Sequence, residues 1–484
     1  MLKRYIGRLG KNSVIYGVGN SLSKVLALLL LPFLTAYLTP EDYGIISMFA
    51  TFATFIQPIF QMGISAGLAP VYFSQDNNSD KNMTIFNAFF LLLISSCLLT
   101  VLSFLCREKL SYAVLELNGY GDLFFIYMLS IAVSSVEVPL LCKYQFDEKA
   151  MRFVIVTVLS SIFNYGLLLF LVIALMKGLS GYIYGALIGE VVRFFLFGVG
   201  LNIKGKKIVL KIESIRKLLR VSLPFVPSFF SIYLLQQIGR IILQRKYGLE
   251  AVGVYSVGVN LGSVITVLTG AVTTAWVPFF LSFRNRDEKT SKALGTIITF
   301  YVYIMGTIVM MFFVFSKPVV ETFVDNAYYN AYQVIGLYAC AQFFSGLFSM
   351  LLPPIYYAAE TKYVSVLQTV VAVISIILTE LLTKGYGMLG AGISIAISYF
   401  ILVILVLCWN CYKKDYFKIM YEWRRCIGFF LLFLVGILIT FYIHKGNLSL
   451  FWEWIRAIFV ALIWLCGIGC FIIKTGLLKN ILKE

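Results

Sequence analysis

The sequence predicts an all-α polytopic membrane protein, from its composition, the length of its apolar runs and an internal repeat. Of its 484 residues, 60% are hydrophobic and 13% are charged, whereas a soluble domain carries roughly a quarter charged residues. The apolar residues gather into runs of about twenty, the length that a helix needs to cross a bilayer. Such runs must be helical, because lipid offers no hydrogen-bond partners to the backbone.

Fourteen apolar runs are predicted to be membrane spans. No cleavage site of small residues follows the first run, so we expect a span there rather than a signal peptide. Several runs exceed the thickness of a bilayer and are expected to tilt or bend. The runs cover roughly residues 12–38, 43–73, 84–106, 121–142, 151–176, 180–202, 222–244, 251–283, 293–315, 328–357, 363–383, 387–410, 426–443 and 452–473.

The net charge of +17 is distributed unevenly about the predicted spans. Most of the Lys and Arg residues fall on one side, which the positive-inside rule assigns to the cytoplasm together with both termini. The densest basic cluster lies between spans 6 and 7, and we expect it to contact anionic lipid headgroups rather than nucleic acid. It comprises Lys204, Lys206, Lys207, Lys211, Arg216, Lys217 and Arg220.

An internal repeat organises the chain. Three segments of the first half recur in the second half, in the same order and at spacings of 207 to 209 residues, which favours duplication over chance. The repeated unit holds six spans, so the two halves have the same orientation, as in one recurring plan of transporters. The pairs are residues 41–47 with 250–256, 70–74 with 278–282, and 177–178 with 384–385.

The repeat predicts three regions. Residues 1–211 form an N-lobe of spans 1–6 with a basic cytoplasmic linker, and residues 212–411 form a C-lobe of spans 7–12. Residues 412–484 carry spans 13 and 14, which lie outside the repeat. In transporters built from two repeats, the substrate site lies where the repeats meet, near the middle of the bilayer.

Two basic residues within spans are the first candidates for a substrate site. A Lys or Arg at the centre of a span costs about 2.5–3.5 kcal/mol, so it needs a partner or a wet cavity. Lys24 in span 1 and Arg240 in span 7 have neutral residues three and four positions away on their own helices. A role in a cavity is therefore favoured for both, and pairing with another helix is the alternative.

The remaining ionisable residues within spans are Arg193 and three acids. Glu190 and Arg193 lie three positions apart on one face of span 6, where they can satisfy each other. Arg193 is also a candidate for the cavity, and Glu190 for coupling transport to an ion. Glu137 and Glu380 lie nearer the ends of their spans, where a structural role is favoured over coupling.

Spans 2 and 7 are unusually polar and contain prolines. Proline leaves a backbone carbonyl without its helical partner, which a membrane tolerates where another helix or water answers it. We therefore expect both spans to bend and to line the passage, and the alternative is that their amides bond neighbouring helices. Span 2 carries Gln57, Gln61, Pro58 and Pro70, and span 7 carries Gln236, Gln237, Pro224 and Pro227.

No cofactor or metal is predicted. His444 is the single histidine and lies at the end of a span, and the nine cysteines are expected to be apolar filler. Cys408 and Cys411 form a CxxC motif, but they end a helix that faces a reducing compartment. No glycine-rich phosphate loop is found on a soluble segment, so ATP is not expected to drive transport directly. H⁺ and Na⁺ both stay open as coupling ions.

The beginnings of the two repeats resemble those of Wzx-type polysaccharide flippases, members of the multidrug/oligosaccharidyl-lipid/polysaccharide exporter superfamily. The resembling residues are 12–20, Pro32, 38–44 and 247–256. The resemblance implies about fourteen transmembrane helices in two lobes around a cationic cavity, in the inner membrane of a bacterium. Many relatives carry an Asp-Arg pair in span 7, where this chain has Gly239-Arg240. This chain keeps the arginine but lacks the aspartate, so a coupling role for that aspartate is in doubt here.

The substrate implied by the resemblance is an oligosaccharide on undecaprenyl pyrophosphate, moved from the cytoplasmic to the outer leaflet. Lys24 and Arg240 would supply fixed cations for the pyrophosphate, and the glutamines would line a path for the sugar. The resemblance also implies a monomer with other polysaccharide-assembly proteins as partners. A multidrug or cation antiporter and a lipid II flippase of the same superfamily are the alternatives. A glycan polymerase or ligase is disfavoured, because the longest outer loop, residues 107–120, carries no acid–base constellation.

Overall fold

The fold consists of helices in every part of the chain that the structure describes. This computed structural model describes residues 19, 22–199, 211–283, 287–360, 362–413, 416–444, 446 and 448–475. All regular elements within these residues are helical, which confirms the predicted all-α class. The chain divides into two compact units, Met1–Gly253 and Val254–Glu484.

The first unit holds the helices of the first repeat and the beginning of the second. Its helices are α1 (Leu22–Tyr37), α2 (Pro40–Phe60), α3 (Ile64–Phe73), α4 (Asn78–Leu105), α5 (Arg107–Leu115), α6 (Gly121–Phe146), α7 (Ala150–Leu169), α8 (Gly178–Val199), α9 (Ile212–Ser222) and most of α10 (Val226–Gly262). A π-helical turn, Phe170–Ala174, extends α7. A 3-10 turn, Leu223–Phe225, joins α9 to α10.

The second unit holds the remaining helices. They are α11 (Ile265–Leu281), α12 (Glu288–Phe323), α13 (Tyr332–Met350), α14 (Pro353–Tyr357), α15 (Lys362–Tyr412), α16 (Trp423–His444) and α17 (Leu450–Thr475). The division between the units falls within α10, after Gly253. The lobe boundaries at residues 211 and 411 come from the repeat and stay predictions.

Glycines interrupt the two longest helices. Helix α15 has 51 residues, and at about 1.5 Å per residue it would be more than twice as long as the bilayer core is thick. Gly387 within it has φ 55°, and Gly248 within α10 has φ 80°. Glycine adopts such positive φ values without steric cost. Each helix therefore contains two of the predicted apolar runs, separated where the sequence predicts a turn.

The described parts of the predicted runs fall on helices, and residues 12–18, 20–21 and 200–202 of these runs lie outside the described residues. The number of membrane crossings needs separate evidence. Ten helices are long and apolar enough to span a membrane, or eleven if the bent pair Ile212–Phe225 and Phe229–Gly262 counts as one. Helices α1 and α11 are shorter apolar helices. A multi-pass membrane protein follows from these helices, and the count of fourteen spans stays a prediction.

The repeated motif forms the start of α2 and a close helix contact. Thr39 and Asp42 form a capping box, in which the Thr39 hydroxyl accepts from the Asp42 N–H and the Asp42 carboxylate accepts from the Thr39 N–H, both at 3.1 Å. One turn further, a Cβ on Gly44 would overlap the Leu249 carbonyl oxygen. A Cβ on Gly253 would overlap the carbonyl oxygen of Pro40. The two glycines that the repeat relates thus lie at one backbone contact.

A buried ionic cluster that sequence reasoning did not single out joins three helices of the second unit. On α12, the Lys317 ammonium lies 3.1 Å from Glu453 Oε1 on α17, and the two side chains are 7% and 1% exposed. Lys317 also donates to the carbonyl oxygens of His444 and Gly446, at 3.3 and 3.0 Å. Arg456 pairs with Glu453 from the next turn of α17. The cluster attaches α16 and α17, the last two predicted spans, to the second repeat.

Candidate substrate passage

Helices α2 and α10 bring two of the predicted site residues together. The Arg240 Nη1 donates to the amide oxygen of Gln237 at 2.5 Å, one turn earlier on α10. From α2, the Thr51 hydroxyl donates to the same oxygen at 3.4 Å. Arg240 is half-buried. Gln237 therefore orients the cation, and the three residues form a polar group between the two helices.

An aromatic wall follows this polar group along the same helices. The ring of Phe55 on α2 lies 5.3 Å from the rings of both Phe230 and Tyr233 on α10. Phe52 lies 5.4 Å from Phe124 on α6. The sequence alone does not predict the pairing of these rings, because it depends on how α2 and α10 pack. Rings of this kind present flat apolar faces beside the hydrogen-bonding amides.

Span 2 is broken where its glutamines lie. Helix α2 ends at Phe60, and Gln61 is the last residue before two consecutive residues with positive φ, Met62 at 50° and Gly63 at 68°. Gln57 is half-buried and Gln61 is buried. The helix of span 2 is interrupted at Met62 and Gly63 rather than at a proline, and the predicted bend of this span stays a prediction. Pro58 and Pro70 are accommodated within α2 and α3.

Span 7 is also bent, at the proline-containing turn before α10. The segments Ile212–Phe225 and Phe229–Gly262 meet at 44°. Gln236 is half-buried on α10. Gln244, two turns beyond Gln237, donates to the Leu115 carbonyl oxygen of α5 at 3.0 Å. Gln244 therefore bonds a neighbouring helix, as the second interpretation predicted, and the lining of a passage by Gln236 and Gln237 stays a prediction.

Lys24 lies exposed on α1, which packs on α7. The hydroxyls of Ser23 and Ser161 are 2.9 Å apart, and the Tyr165 hydroxyl donates to the Ser23 carbonyl oxygen at 3.4 Å. These contacts place α1 against α7 and leave the Lys24 side chain outside the buried core. Its predicted role in the cavity stays a prediction.

Arg193 is held by two acids from two helices. Its Nη2 lies 2.7 Å from Oε1 of Glu137 on α6, and its Nη1 lies 3.4 Å from Oε1 of Glu190 on α8. The contact between Glu190 and Arg193 is the one that their spacing predicted. Glu137 is 1% exposed and its Oε2 has no hydrogen-bond partner within the described residues. Burying such a group is costly unless it is paired, and Arg193 pairs it where α6 packs on α8.

The triad carries one formal negative charge, because two carboxylates surround one guanidinium. Neighbouring acids therefore offset the charge of Arg193, one of the cations predicted for the passage. Glu380 is exposed on α15 in the second unit. The sequence could not pair Glu137 with Arg193, because they are 56 positions apart and meet only when α6 packs on α8.

Comparison with known proteins identifies the family. Residues 9–284, more than half of the chain, match the sequence profile of the family described as polysaccharide biosynthesis protein. The chain belongs to this family. A curated relative, the Lsg locus putative protein 1 of Haemophilus influenzae, is 22% identical over 402 residues, which cover 81% of this chain and 97% of the relative.

This polysaccharide biosynthesis protein has the fold of known exporters. A structure of the lipid II flippase MurJ in an inward closed conformation matches with a TM-score of 0.72 and 16% identity, over 97% of this chain and 100% of that chain. A multidrug resistance MATE family transporter of the MOP superfamily, in an inward-facing conformation, matches with a TM-score of 0.67 and 17% identity. That match covers 82% of this chain and 97% of the transporter.

The family match agrees with the resemblance that the beginnings of the two repeats show. The family is that of polysaccharide biosynthesis proteins, and the fold is the one seen in MurJ and in the MATE transporter. At 16–17% identity the solved structures establish the fold alone. The roles of individual residues in the passage rest on the geometry described above.

Proposed function

We propose that this protein flips an anionic oligosaccharide on a polyprenyl pyrophosphate carrier from the cytoplasmic to the outer leaflet, for surface polysaccharide synthesis. It acts in the inner membrane of a bacterium, as a monomer with both termini in the cytoplasm and beside other polysaccharide-assembly proteins. Transport proceeds by alternating access, and no bond is made or broken. The observation that carries the proposal is Arg240, oriented by Gln237 beside an aromatic wall on α2 and α10.

The pyrophosphate is the part of the substrate that requires this arrangement. An anion entering a medium of low dielectric needs fixed cations, and hydrogen bonds between a guanidinium and a phosphate are about twice as strong as neutral ones. Arg240 supplies such a cation, and Lys24 supplies a second. An inside-negative potential favours outward movement of the anion by about 2.3 kcal/mol per charge per 100 mV.

The sugar and the lipid make different demands on the passage. Hydroxyl groups of a sugar exchange hydrogen bonds with water for bonds with amides, which Gln57, Gln61, Gln236 and Gln237 offer, while aromatic rings contact the apolar faces of sugars. The polyprenyl tail stays in the bilayer. A passage with both amides and rings therefore suits a glycan better than a small hydrophobic cation.

The extent of the structural matches also favours a flippase over a drug exporter. The match to MurJ spans 97% of this chain, whereas the match to the multidrug transporter spans 82%. A drug exporter of twelve spans would account for the two repeats and not for α16 and α17. Lipid II is the second candidate substrate because of the MurJ match, but the family match favours a glycan for surface polysaccharide.

Transport in proteoliposomes tests the proposed function. The purified protein is reconstituted with a fluorescent polyprenyl-pyrophosphate oligosaccharide in the inner leaflet, and arrival in the outer leaflet is measured with an impermeant glycosidase. We expect flipping at least tenfold faster than in liposomes without protein. Flipping of lipid II and not of the oligosaccharide would select the second candidate, and ethidium transport alone would refute both.

We further propose that Glu137 exchanges a proton during transport, so that H⁺ and not Na⁺ is the coupling ion. Its Oε2 is buried and has no hydrogen-bond partner within the described residues, so a proton can bind there without displacing a donor. A gradient of one pH unit supplies about 1.4 kcal/mol per proton, or up to about tenfold in transport. Glu137→Gln should flip at the basal rate without this acceleration, and Glu380→Gln, an exposed acid, should keep it. Acceleration by Na⁺ in place of H⁺ would contradict the assignment.

A further inference from the structure

Helix α9, between the two repeats, has two chemically different faces. Ile215, Leu218, Leu219 and Ser222 lie on one side, and Leu218 and Ser222 are 0% exposed. At about 100° per residue, the opposite side carries Glu213, Arg216, Lys217 and Arg220, all of them exposed. Three bases against one acid leave this side positive. We call residues 216, 217 and 220 the basic face of α9; Lys204, Lys206 and Lys207 of the predicted basic cluster lie outside the described residues.

The apolar side of α9 is covered by the protein and not by lipid. Leu218 packs in a cluster with Ile64 and Leu68 of α3 and with Ile85 and Leu92 of α4. Helix α9 is therefore fixed to the end of span 2, and its basic face cannot rotate inward without opening this cluster. The Lys217 ammonium donates to the Ser74 hydroxyl, at the end of α3, at 2.9 Å.

The same helix touches the break in span 2. A Cβ on Gly63 would overlap the carbonyl oxygen of Ser222, and a Cβ on Gly67 would overlap the Ser222 hydroxyl. The end of α9 therefore lies in backbone contact with the residue that interrupts span 2. Immediately after Ser222 the chain turns through Leu223–Phe225 into α10, which carries Gln237 and Arg240.

We propose that the basic face of α9 binds the anionic lipid headgroups of the cytoplasmic leaflet and thereby regulates flipping. Charge complementarity selects this partner, because bases next to a membrane surface are attracted to its anionic lipids. Helix α9 contacts the break of span 2 on one side and continues into span 7 on the other. Headgroups that hold α9 at the surface therefore hold both helices of the candidate passage. The regulatory part rests on the proposed function, and the binding part does not.

Phosphatidylglycerol binding and flipping, measured separately, test this inference on the full chain. The variant Arg216→Gln/Lys217→Gln/Arg220→Gln removes the basic face and leaves the packed side unchanged. The matched control Lys109→Gln/Lys177→Gln/Lys384→Gln removes the same charge from exposed positions at the predicted outer ends of spans. Native mass spectrometry measures binding of phosphatidylglycerol, and flipping is measured in phosphatidylcholine liposomes with 0 to 40% phosphatidylglycerol.

We expect the basic-face variant to bind phosphatidylglycerol about 100-fold more weakly at low salt, since each base near a membrane surface contributes about fivefold. Its flipping should no longer rise with the phosphatidylglycerol content, whereas wild type and the control should respond alike. Equal binding by the variant and the control would overturn the inference, as would loss of oligosaccharide binding with phosphatidylglycerol binding intact. If the basic-face variant loses phosphatidylglycerol binding but neither wild type nor the variants flip the oligosaccharide, the lipid-binding surface is supported and the proposed function is refuted.

Discussion

Arg240→Gln should reduce flipping of the pyrophosphate-linked oligosaccharide by about 100-fold or more. A hydrogen bond to a charged group contributes about 1.5–3 kcal/mol, and a guanidinium can make two to a pyrophosphate. Glutamine keeps polarity and helix propensity but removes the charge that Gln237 orients. The initial rate in proteoliposomes is the measurement. Adding Lys24→Gln should bring flipping to the background of protein-free liposomes.

The matched control for this prediction lies on the same helix. Arg245 is exposed on α10, five residues beyond Arg240, and Arg245→Gln should flip within about twofold of wild type because an exposed charge is well solvated. Both variants should be produced at wild-type levels. A double Lys24/Arg240 variant that still flips at the wild-type rate would show that the passage does not rely on fixed cations.

Gly253→Val should lower the apparent melting temperature by about 2–6 °C, at about 2 °C per kcal/mol for a unit of this size. The added Cβ overlaps the carbonyl oxygen of Pro40, and a backbone atom cannot rotate away as a side chain can. Overpacking of this kind costs typically about 1–3 kcal/mol and occasionally more, because the two helices must separate. Gly44→Val should behave alike, since its Cβ overlaps the Leu249 carbonyl oxygen. Thermal unfolding in detergent, followed by tryptophan fluorescence, measures the effect.

Gly270→Ala is the matched control for the glycine contact. Gly270 also lies within a helix, and within the described chain a Cβ there meets no atom closer than 4 Å. Alanine has a higher helix propensity than glycine by about 0.8–1 kcal/mol, so the control should be as stable as wild type or more stable. If Gly253→Val and the control have the same melting temperature, the backbone contact between the repeat-related segments contributes nothing to stability.

Helix positions and the local contacts along them could be predicted well from the sequence. The apolar runs identify the helices, since burial in lipid demands long apolar segments with internally bonded backbones. The pairing of Glu190 with Arg193 followed from a spacing of three on one helix face. The break in span 2 was expected from its prolines, and it occurs a few residues away, where Met62 and Gly63 adopt positive φ.

Contacts between helices that are distant in the chain could not be predicted from the sequence. Glu137 meets Arg193, and Lys317 meets Glu453, only because two helices pack with those faces together. An ionisable residue near the end of a span can reach the membrane surface or a partner on another helix, and a single sequence does not distinguish the two. The deeply buried cluster around Lys317 was missed for this reason.

The sequence by itself determined the class of the protein, the positions of its helices and the duplication that relates Gly44 to Gly253, because hydropathy and repetition are properties of the chain alone. Only the tertiary structure shows that those two glycines lie at the same contact between two backbones. It also shows that Gln237 orients Arg240 and that two acids offset the charge of Arg193. The physical reason is the rotation of each helix about its axis. Helix packing sets this rotation, and it determines which side chains meet.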